Sequence, residues 1–414
     1  MRIVILTNAY PYYPGEQFIE DEIGYWANNP AANVTLLPAV AAGQPRALPA
    51  GIAVDPGMVA GSRIERLWFV LVALFSPIFR HELGYLRQSR KMGRHTVSRA
   101  LLHTSKVLEQ ANRLEQYARA HGRIDVAYCY WNETQSYAAV LAKARGSVRK
   151  VVSRAHGYDL YELRRPHEYM PLKRQFIRAY DRLFALSREA RAYLQETYAA
   201  PPAKVQVSPL GVPLTGSLSQ SSPPGFLHIV SVAFCQPVKR LDRIIDALEL
   251  FARGHGEIRT RWTHIGGGPL LEEVKALAAA RLAGKENAFA EFMGEMPNQA
   301  IKDYYLATPV DVFVNTSESE GMPVSIMEAM SAGVPAIAPD VGGISSLVSD
   351  QCGVLLGACP DSREIADAIG RVALADDRKT LRTNARKVIE ERFSAARNYT
   401  DFVADILAIG ATRG

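Results

Sequence analysis

The chain has 414 residues, of which 48% are hydrophobic and 22% charged, with a net charge of +6. That length exceeds one ordinary core and favours two domains, and the composition excludes a disordered, fibrous or collagen-like chain. The mild basicity suits an anionic substrate or surface, and Cys129, Cys235, Cys352 and Cys359, with no C-x-x-C spacing, point to free thiols in a reducing compartment.

The chain starts with an apolar run that Thr7, Asn8 and Pro11 cut short. It reads as a first buried strand, Ile3 to Thr7, not as a secretory leader, so a cytoplasmic location is expected. Val34 to Pro38 is the next strand. The longest apolar run, Leu67 to Phe79, contains Ser76 and Pro77 and is too short to span a bilayer. It is followed by Arg80, Arg87, Arg90, Lys91, Arg94, Arg99 and Lys106, with only Glu82 opposing them. Aromatic and basic residues beside an apolar face predict that residues 63–106 meet an anionic membrane surface; a core helix followed by a solvated basic helix is the alternative. Leu101, Leu102, Val107, Leu108 and Leu114 then mark a long helix from Arg99 to Ala120. Strands follow at Val126 to Tyr130, Lys150 to Ser153 and Arg182 to Ala185. The Ser/Pro/Gly-rich residues 213–225 read as a linker.

The second half repeats the alternation. Strands are predicted at Leu227 to Val232, Arg261 to Ile265, Val310 to Val314 and Ala336 to Pro339. Helices are predicted at Asp242 to Phe251, at Leu270 to Leu282, and after Pro323, which suits a first helical position. Repeated strand–helix units imply parallel sheets covered on both faces. The expected architecture is α/β, with two Rossmann-like domains at 1–212 and 226–394 whose sheets face a central cleft. A C-terminal helix, 395–414, is expected to cross back to the first domain.

Two carboxylates stand out. Glu320 precedes the helix predicted after Pro323 and Glu328 lies inside it, with seven residues between them. Eight positions correspond to at most roughly 12 Å along a helix, enough to attend both ends of a nucleotide sugar. The helix start directs free N–H groups at an anion such as phosphate. Lys239 and Arg240 open another helix after a strand, and Gly266, Gly267 and Gly268 follow a third. Glu318-Ser319-Glu320 is not joined by a D-x-D or a histidine pair, so no metal or other cofactor is expected.

Lys239, Ile265-Gly266-Gly267-Gly268-Pro269-Leu270, Glu320-Gly321-Met322-Pro323, Glu328-Ala329-Met330 and Ala336 to Gly343 occur in the order seen in retaining glycosyltransferases of family 4, the group 1 enzymes of GT-B architecture. The resemblance covers most of 227–400. Gly15 to Glu22 and Ser153 to Asp159 are similar to members that build capsular, exopolysaccharide and related surface glycans. It implies a hexosyltransferase that moves a sugar from a UDP- or GDP-sugar to a hydroxyl of a glycan or lipid-linked glycan, with no nucleic acid as partner. Glu320, His156 and Lys239 would serve the chemistry. Donor contacts would come from Gly15, Lys239, Arg240, Gly266, Gly268, Glu320, Gly321, Met322, Pro323, Val324, Ser325 and Glu328, the last on the ribose hydroxyls. Acceptor contacts would come from Glu16, His156 and Asp159. One departure is Phe234, where members commonly carry an arginine five residues before the lysine. Another is Arg240, which replaces a usual glycine and offers a substitute cation. An epimerase or hydrolase of the same fold, or a non-catalytic donor-binding subunit, is the alternative.

Overall fold

The structure is a computed structural model that describes residues 1–13, 15–27 and 29–412. The chain divides into two compact units, Met1–Pro209 together with the chain from Tyr399 on, and Leu210–Asn398.

The first unit is built on a parallel sheet of seven strands: β1 (Arg2–Thr7), β2 (Asn33–Pro38), β3 (Ile52–Val54), β4 (Ile124–Cys129), β5 (Val148–Ala155), β6 (Arg182–Ala185) and β7 (Val205–Val207). Their order is β3-β2-β1-β4-β5-β6-β7. Ile3, Val4, Ile5 and Leu6 are all buried, the unbroken apolar pattern of a strand covered on both faces. Val4 and Leu6 pack with Val107, Ala111 and Leu114 of the helix Arg94–His121 and with Tyr137 and Ala138 of the helix Thr134–Ala144. Ile3 and Ile5 face Ile23, Trp26, Phe402, Val403 and Ile406, the last three from the C-terminal helix Ala395–Ala411. A buried ion pair between Arg154 and Glu22 (2.5 Å) lies on that face, with the guanidinium 3.7 Å from the Phe402 ring.

The run Leu67 to Phe79 is not one helix. The helices Arg63–Leu74 and Pro77–Gln88 meet at 60°. The break is local chemistry: the Ser76 hydroxyl accepts the Ile78 N–H (3.1 Å) and Pro77 occupies the first turn. Among the described residues no single helix is long and apolar enough to cross a membrane; this bent pair passes that test only when its two members are taken together.

The second unit carries a parallel sheet of six strands: β8 (Phe226–Val232), β9 (Arg259–Ile265), β10 (Ala288–Gly294), β11 (Val312–Val314), β12 (Ala336–Pro339) and β13 (Gly353–Leu356), ordered β10-β9-β8-β11-β12-β13. The residues 213–225, expected as a linker, are bound into this unit. Ser219 N–H donates to Ala332 O (2.8 Å), Val310 N–H to Gln220 O (3.0 Å), and Ser222 N–H to the Asp311 carboxylate (3.0 Å). In each sheet the strand order reverses once, between β1 and β4 and between β8 and β11. At such points neighbouring connections leave toward opposite faces and open a crevice at the carboxyl ends of the strands.

Candidate functional site

At the reversal in the second sheet, two loops are laced together. The loop after β8 ends in a turn at Pro237–Lys239. The loop after β11 starts at Asn315. Glu318 N–H donates to Val238 O (2.9 Å), and the Thr316 hydroxyl lies 2.9 Å from both Lys239 O and Arg240 O. This lacing brings Lys239 Nζ to 2.6 Å from Glu320 Oε1. Asn315 Nδ2 donates to the same oxygen (3.3 Å), while Asn315 Oδ1 accepts the Ser317 N–H (2.9 Å). Burial alone would raise the Glu320 carboxyl. The Lys239 charge and hydrogen bonds from Lys239, Ser317 and Asn315 outweigh it and hold the group below the usual range. An ionised carboxylate and an ammonium therefore share the crevice.

Arg240 takes a left-handed conformation, φ 47°. Its guanidinium turns to Asp242 (2.8 Å) and Glu318 (2.5 Å), so the expected substitute cation is engaged in local ion pairs. Phe234 is 56% exposed.

The glycines serve backbone packing. A Cβ on Gly266 (φ 149°) would lie 1.9 Å from Ala233 O, and one on Gly268 (φ 133°) 2.7 Å from the Cys235 backbone. In each case the space a side chain would need is filled by the neighbouring loop. Gly342, after β12, has φ 62°, and a Cβ there would lie 1.9 Å from Glu320 O. Gly343 N–H donates to Gly321 O (2.8 Å). This pair backs the segment carrying Glu320, Gly321 and Met322.

The helix following Glu320 is Val324–Ser331, with Pro323 as its N-cap and no side-chain cap. Pro323 thus precedes the first helical position expected of it. Ile326 and Met327 N–H both reach Pro323 O, leaving the start of the helix, at Val324 and Ser325, as its positive pole. Glu328 is 4% exposed, and Asn298 Nδ2 of the helix Asn298–Ala307 donates to it at 2.5 Å. It is a buried, held carboxylate, whereas the sequence reading places it on the ribose.

In the first unit, Glu16 anchors the loop after β1. Its carboxylate accepts the N–H groups of Asn8 (3.0 Å), Ala9 (2.6 Å) and Tyr10 (2.6 Å) and the Trp131 indole N–H (2.5 Å). Gly15 (φ 108°) and Glu16 (φ 52°) are both left-handed, which turns the chain back to make these bonds. The His156 ring stacks on Tyr130 (4.8 Å) and lies tilted against Trp131 (4.6 Å), and both its nitrogens are buried with no hydrogen-bond partner. Asp159 is fully buried; its carboxylate accepts the backbone N–H groups of His156 (2.5 Å) and Asn132 (2.6 Å). It braces the ends of β4 and β5, so a direct contact with an acceptor does not fit. Lys173, also buried, donates to Asn132 O, Asn132 Oδ1 and Asp159 O (2.5–3.0 Å).

Asn298, Trp131, Asn132 and Lys173 carried no local signal in the sequence. Asn315-Thr316-Ser317, three polar residues directly after a buried strand, is a signal that sequence reasoning could have used. Among the described residues no group of three or more His, Cys, Asp or Glu side chains is placed to hold a metal.

Residues 219–388 match the family of glycosyl transferases group 1, and residues 72–215 match Glycosyltransferase Family 4. The D-inositol 3-phosphate glycosyltransferase of Kribbella flavida is 30% identical over 230 residues, 52% of this chain and 53% of that protein. WcaL of Escherichia coli, named for colanic acid biosynthesis, is 27% identical over 285 residues, 66% of this chain and 68% of its own. The chain spans about half the length of the D-inositol 3-phosphate glycosyltransferases it matches. Sucrose-phosphate synthase from Thermosynechococcus elongatus is similar in structure, with a TM-score of 0.70 at 14% identity over 99% of this chain and 100% of that one. Anabaena HepE, solved in complex with UDP-glucose, gives 0.64 at 17% identity over 98% and 99%. At such identities the likeness is one of fold. Two family matches that follow one another along the chain, over two Rossmann-like units with parallel sheets, show that it belongs to the group 1, family 4 glycosyltransferases of GT-B fold.

Proposed function

We propose that this chain is a retaining hexosyltransferase that moves a sugar from a UDP- or GDP-sugar to a hydroxyl of a glycan or lipid-linked glycan during cell-surface polysaccharide biosynthesis. The observation that carries this reading is the Lys239–Glu320 pair (2.6 Å) at the reversal between β8 and β11. The donor diphosphate would take the Lys239 ammonium from Glu320. Lys239 and the backbone N–H groups of Val324 and Ser325 would then stabilise the charge that develops on the leaving phosphate. Glu320, freed of its lysine, would accept hydroxyls of the transferred sugar and stabilise positive charge at its anomeric carbon. The bond from that carbon to the phosphate oxygen breaks and the bond to the acceptor oxygen forms on the same face. The acceptor proton passes to the departing phosphate, so no protein nucleophile is required. Glu328 would reach the ribose by giving up its bond to Asn298. Lys239 and the helix terminus supply the positive charge that a metal supplies elsewhere, so the reaction would need no metal cofactor.

The first unit would hold the acceptor, with His156 as the group that meets it. Peripheral attachment to the inner face of the membrane is supported by Ile64, Leu67, Trp68, Leu71 and Phe75, all 54–80% exposed, beside the exposed cations Arg63, Arg66 and Arg80. One observation favours a non-catalytic donor-binding subunit instead: Phe234 and the engaged Arg240 leave Lys239 as the cation facing Glu320. Incubation with UDP- and GDP-sugars, with and without a lipid-linked glycan, separates the readings. The enzyme transfers only when acceptor is present; the subunit binds donor and never turns it over. Glu320→Gln is expected to lower kcat about 100-fold or more, in line with loss of one group that stabilises transition-state charge, while UDP affinity changes less than tenfold. Near-normal transfer by that variant would place the reacting centre elsewhere.

A further inference from the structure

A second charged cluster lies in the first unit, away from Glu16 and His156. A small cavity is lined by Arg99, His103, Glu133, Arg165 and the apolar faces of Tyr137 and Met170. It is reached from the carboxyl end of β4, because Glu133 is the N-cap of the helix that follows that strand. Ligands of open parallel sheets bind at this end. Arg99, His103 and Lys106 are spaced by four and three residues along the helix Arg94–His121, so they share one face. Arg165 approaches from the loop after β5. Its side chain is 8% exposed, it is paired to Glu133, and its Nε is buried with no hydrogen-bond partner. The guanidinium also stacks 3.4 Å over the Tyr158 ring. An arginine so held, with its Nε–H unpaired, keeps a donor for an oxyanion that replaces Glu133.

The electrostatics point the same way. Burial, then the charges of Arg99, Lys106 and Arg165, push the His103 imidazole down to about 4, so it is neutral and offers an N–H without adding charge. Glu133 is the carboxylate lining the cavity. Burial raises its pKa despite the Arg165 charge, which marks it as a weakly stabilised anion. The segment that supplies Arg165, Met170 and Pro171 to the lining also holds His167, Glu168 and Leu172, which do not line the cavity, at φ of 61°, 47° and 68°, conformations that cost L-residues free energy.

We propose that this site binds a phosphate group of the acceptor, with Arg99, His103 and Arg165 as its ligands: the cavity itself holds about one water, and the phosphate takes the place that the partly exposed Glu133 carboxylate gives up on Arg165. The inference rests on the reading that the first unit holds the acceptor, and it narrows the acceptor to one whose glycan is carried on a phosphate ester. The helix Arg63–Leu74, with its exposed apolar side chains, packs on the same helix that carries Arg99 and His103. A lipid-linked phosphate thus meets its apolar and anionic requirements on one helical layer.

The test is calorimetric titration of the full chain with geranyl diphosphate, and separately with UDP. Arg99→Gln and Arg165→Gln should each weaken geranyl diphosphate binding about tenfold or more, as loss of a charge-assisted hydrogen bond does, and leave UDP binding within twofold. Lys239→Ala should do the reverse. Arg99→Gln serves where Arg165→Gln unsettles the loop, since Arg99 is partly exposed. The proposal is overturned if the wild type fails to bind geranyl diphosphate, if both arginine variants bind it normally, or if only Lys239→Ala loses it. Failure of the wild type to bind UDP would instead sink the donor reading and leave this site standing.

Discussion

Arg240 occupies φ 47° and ψ 46°, a region that costs an L-residue about 1–2 kcal/mol and that glycine enters freely. The family resemblance places a glycine there, and the backbone explains why: the loop after β8 must reverse into the helix Leu241–Gly254. The arginine side chain recovers part of that cost through Asp242 and Glu318. Exposed pairs of this kind contribute about 0–1 kcal/mol, so Arg240→Gly should leave stability unchanged or raise it, by up to about 2 kcal/mol. Because the guanidinium points at these carboxylates, the same variant should keep kcat/KM within about threefold. A loss beyond tenfold in a steady-state assay would mean that the side chain turns to the diphosphate when donor binds. At this scale the residue types were legible in the sequence. Lys239 and Glu320, 81 positions apart, were both singled out there. Their mutual contact was not legible, because it depends on Thr316 and Val238 lacing two loops from separate strands.

Among the elements, the helix Arg63–Leu74 departs most from ordinary packing. Ala73 is its one fully buried residue, whereas Leu67, Trp68 and Leu71 are 66%, 62% and 54% exposed. Large side chains at such positions add little to folding and much to insertion at an apolar interface, about 1.5–3 kcal/mol each when buried. The double change Leu67→Ser and Trp68→Ser should therefore leave the thermal midpoint within about 2 °C. It should weaken binding to phosphatidylglycerol vesicles at least tenfold in a sedimentation assay. Unchanged vesicle binding would refute the membrane reading. The strands carry a separate lesson. All nine interior strands were visible as apolar runs, and the four that were not, β3, β7, β10 and β13, are the sheet edges. Edge strands are short or half-exposed, as Ala288–Gly294 shows with Ala288 its one buried residue, so their hydrophobic signal falls to that of a loop.

For the whole molecule, buried titratable groups set the response to pH. His103 is held at about 4, by burial first and then by Arg99, Lys106 and Arg165, against about 6.5 in an unfolded chain. Between these values the unfolded state binds a proton that the folded state does not. The stability is therefore complete above about pH 6.5 and declines as pH falls toward 4, by up to about 3 kcal/mol. Urea midpoints at pH 7 and pH 5 should show this slope, and His103→Gln should flatten it. Glu320 and Asp242, both held low by their cationic partners, add a further loss only below the ordinary carboxylate range.

The order of apolar runs, glycines and charged residues was enough to determine the class of fold and to single out Lys239 and Glu320 separately, because runs and short motifs are local properties of the chain. Tertiary structure decided the rest. Gly266, Gly268 and Gly342 are required by backbone oxygen atoms or loops from other strands, Glu328 is held by Asn298 and Asp159 by Asn132 from other elements, and Arg99 comes to line one cavity with Arg165 only after folding. Each of these depends on contacts between distant segments, and periodicity along a single segment carries no record of them.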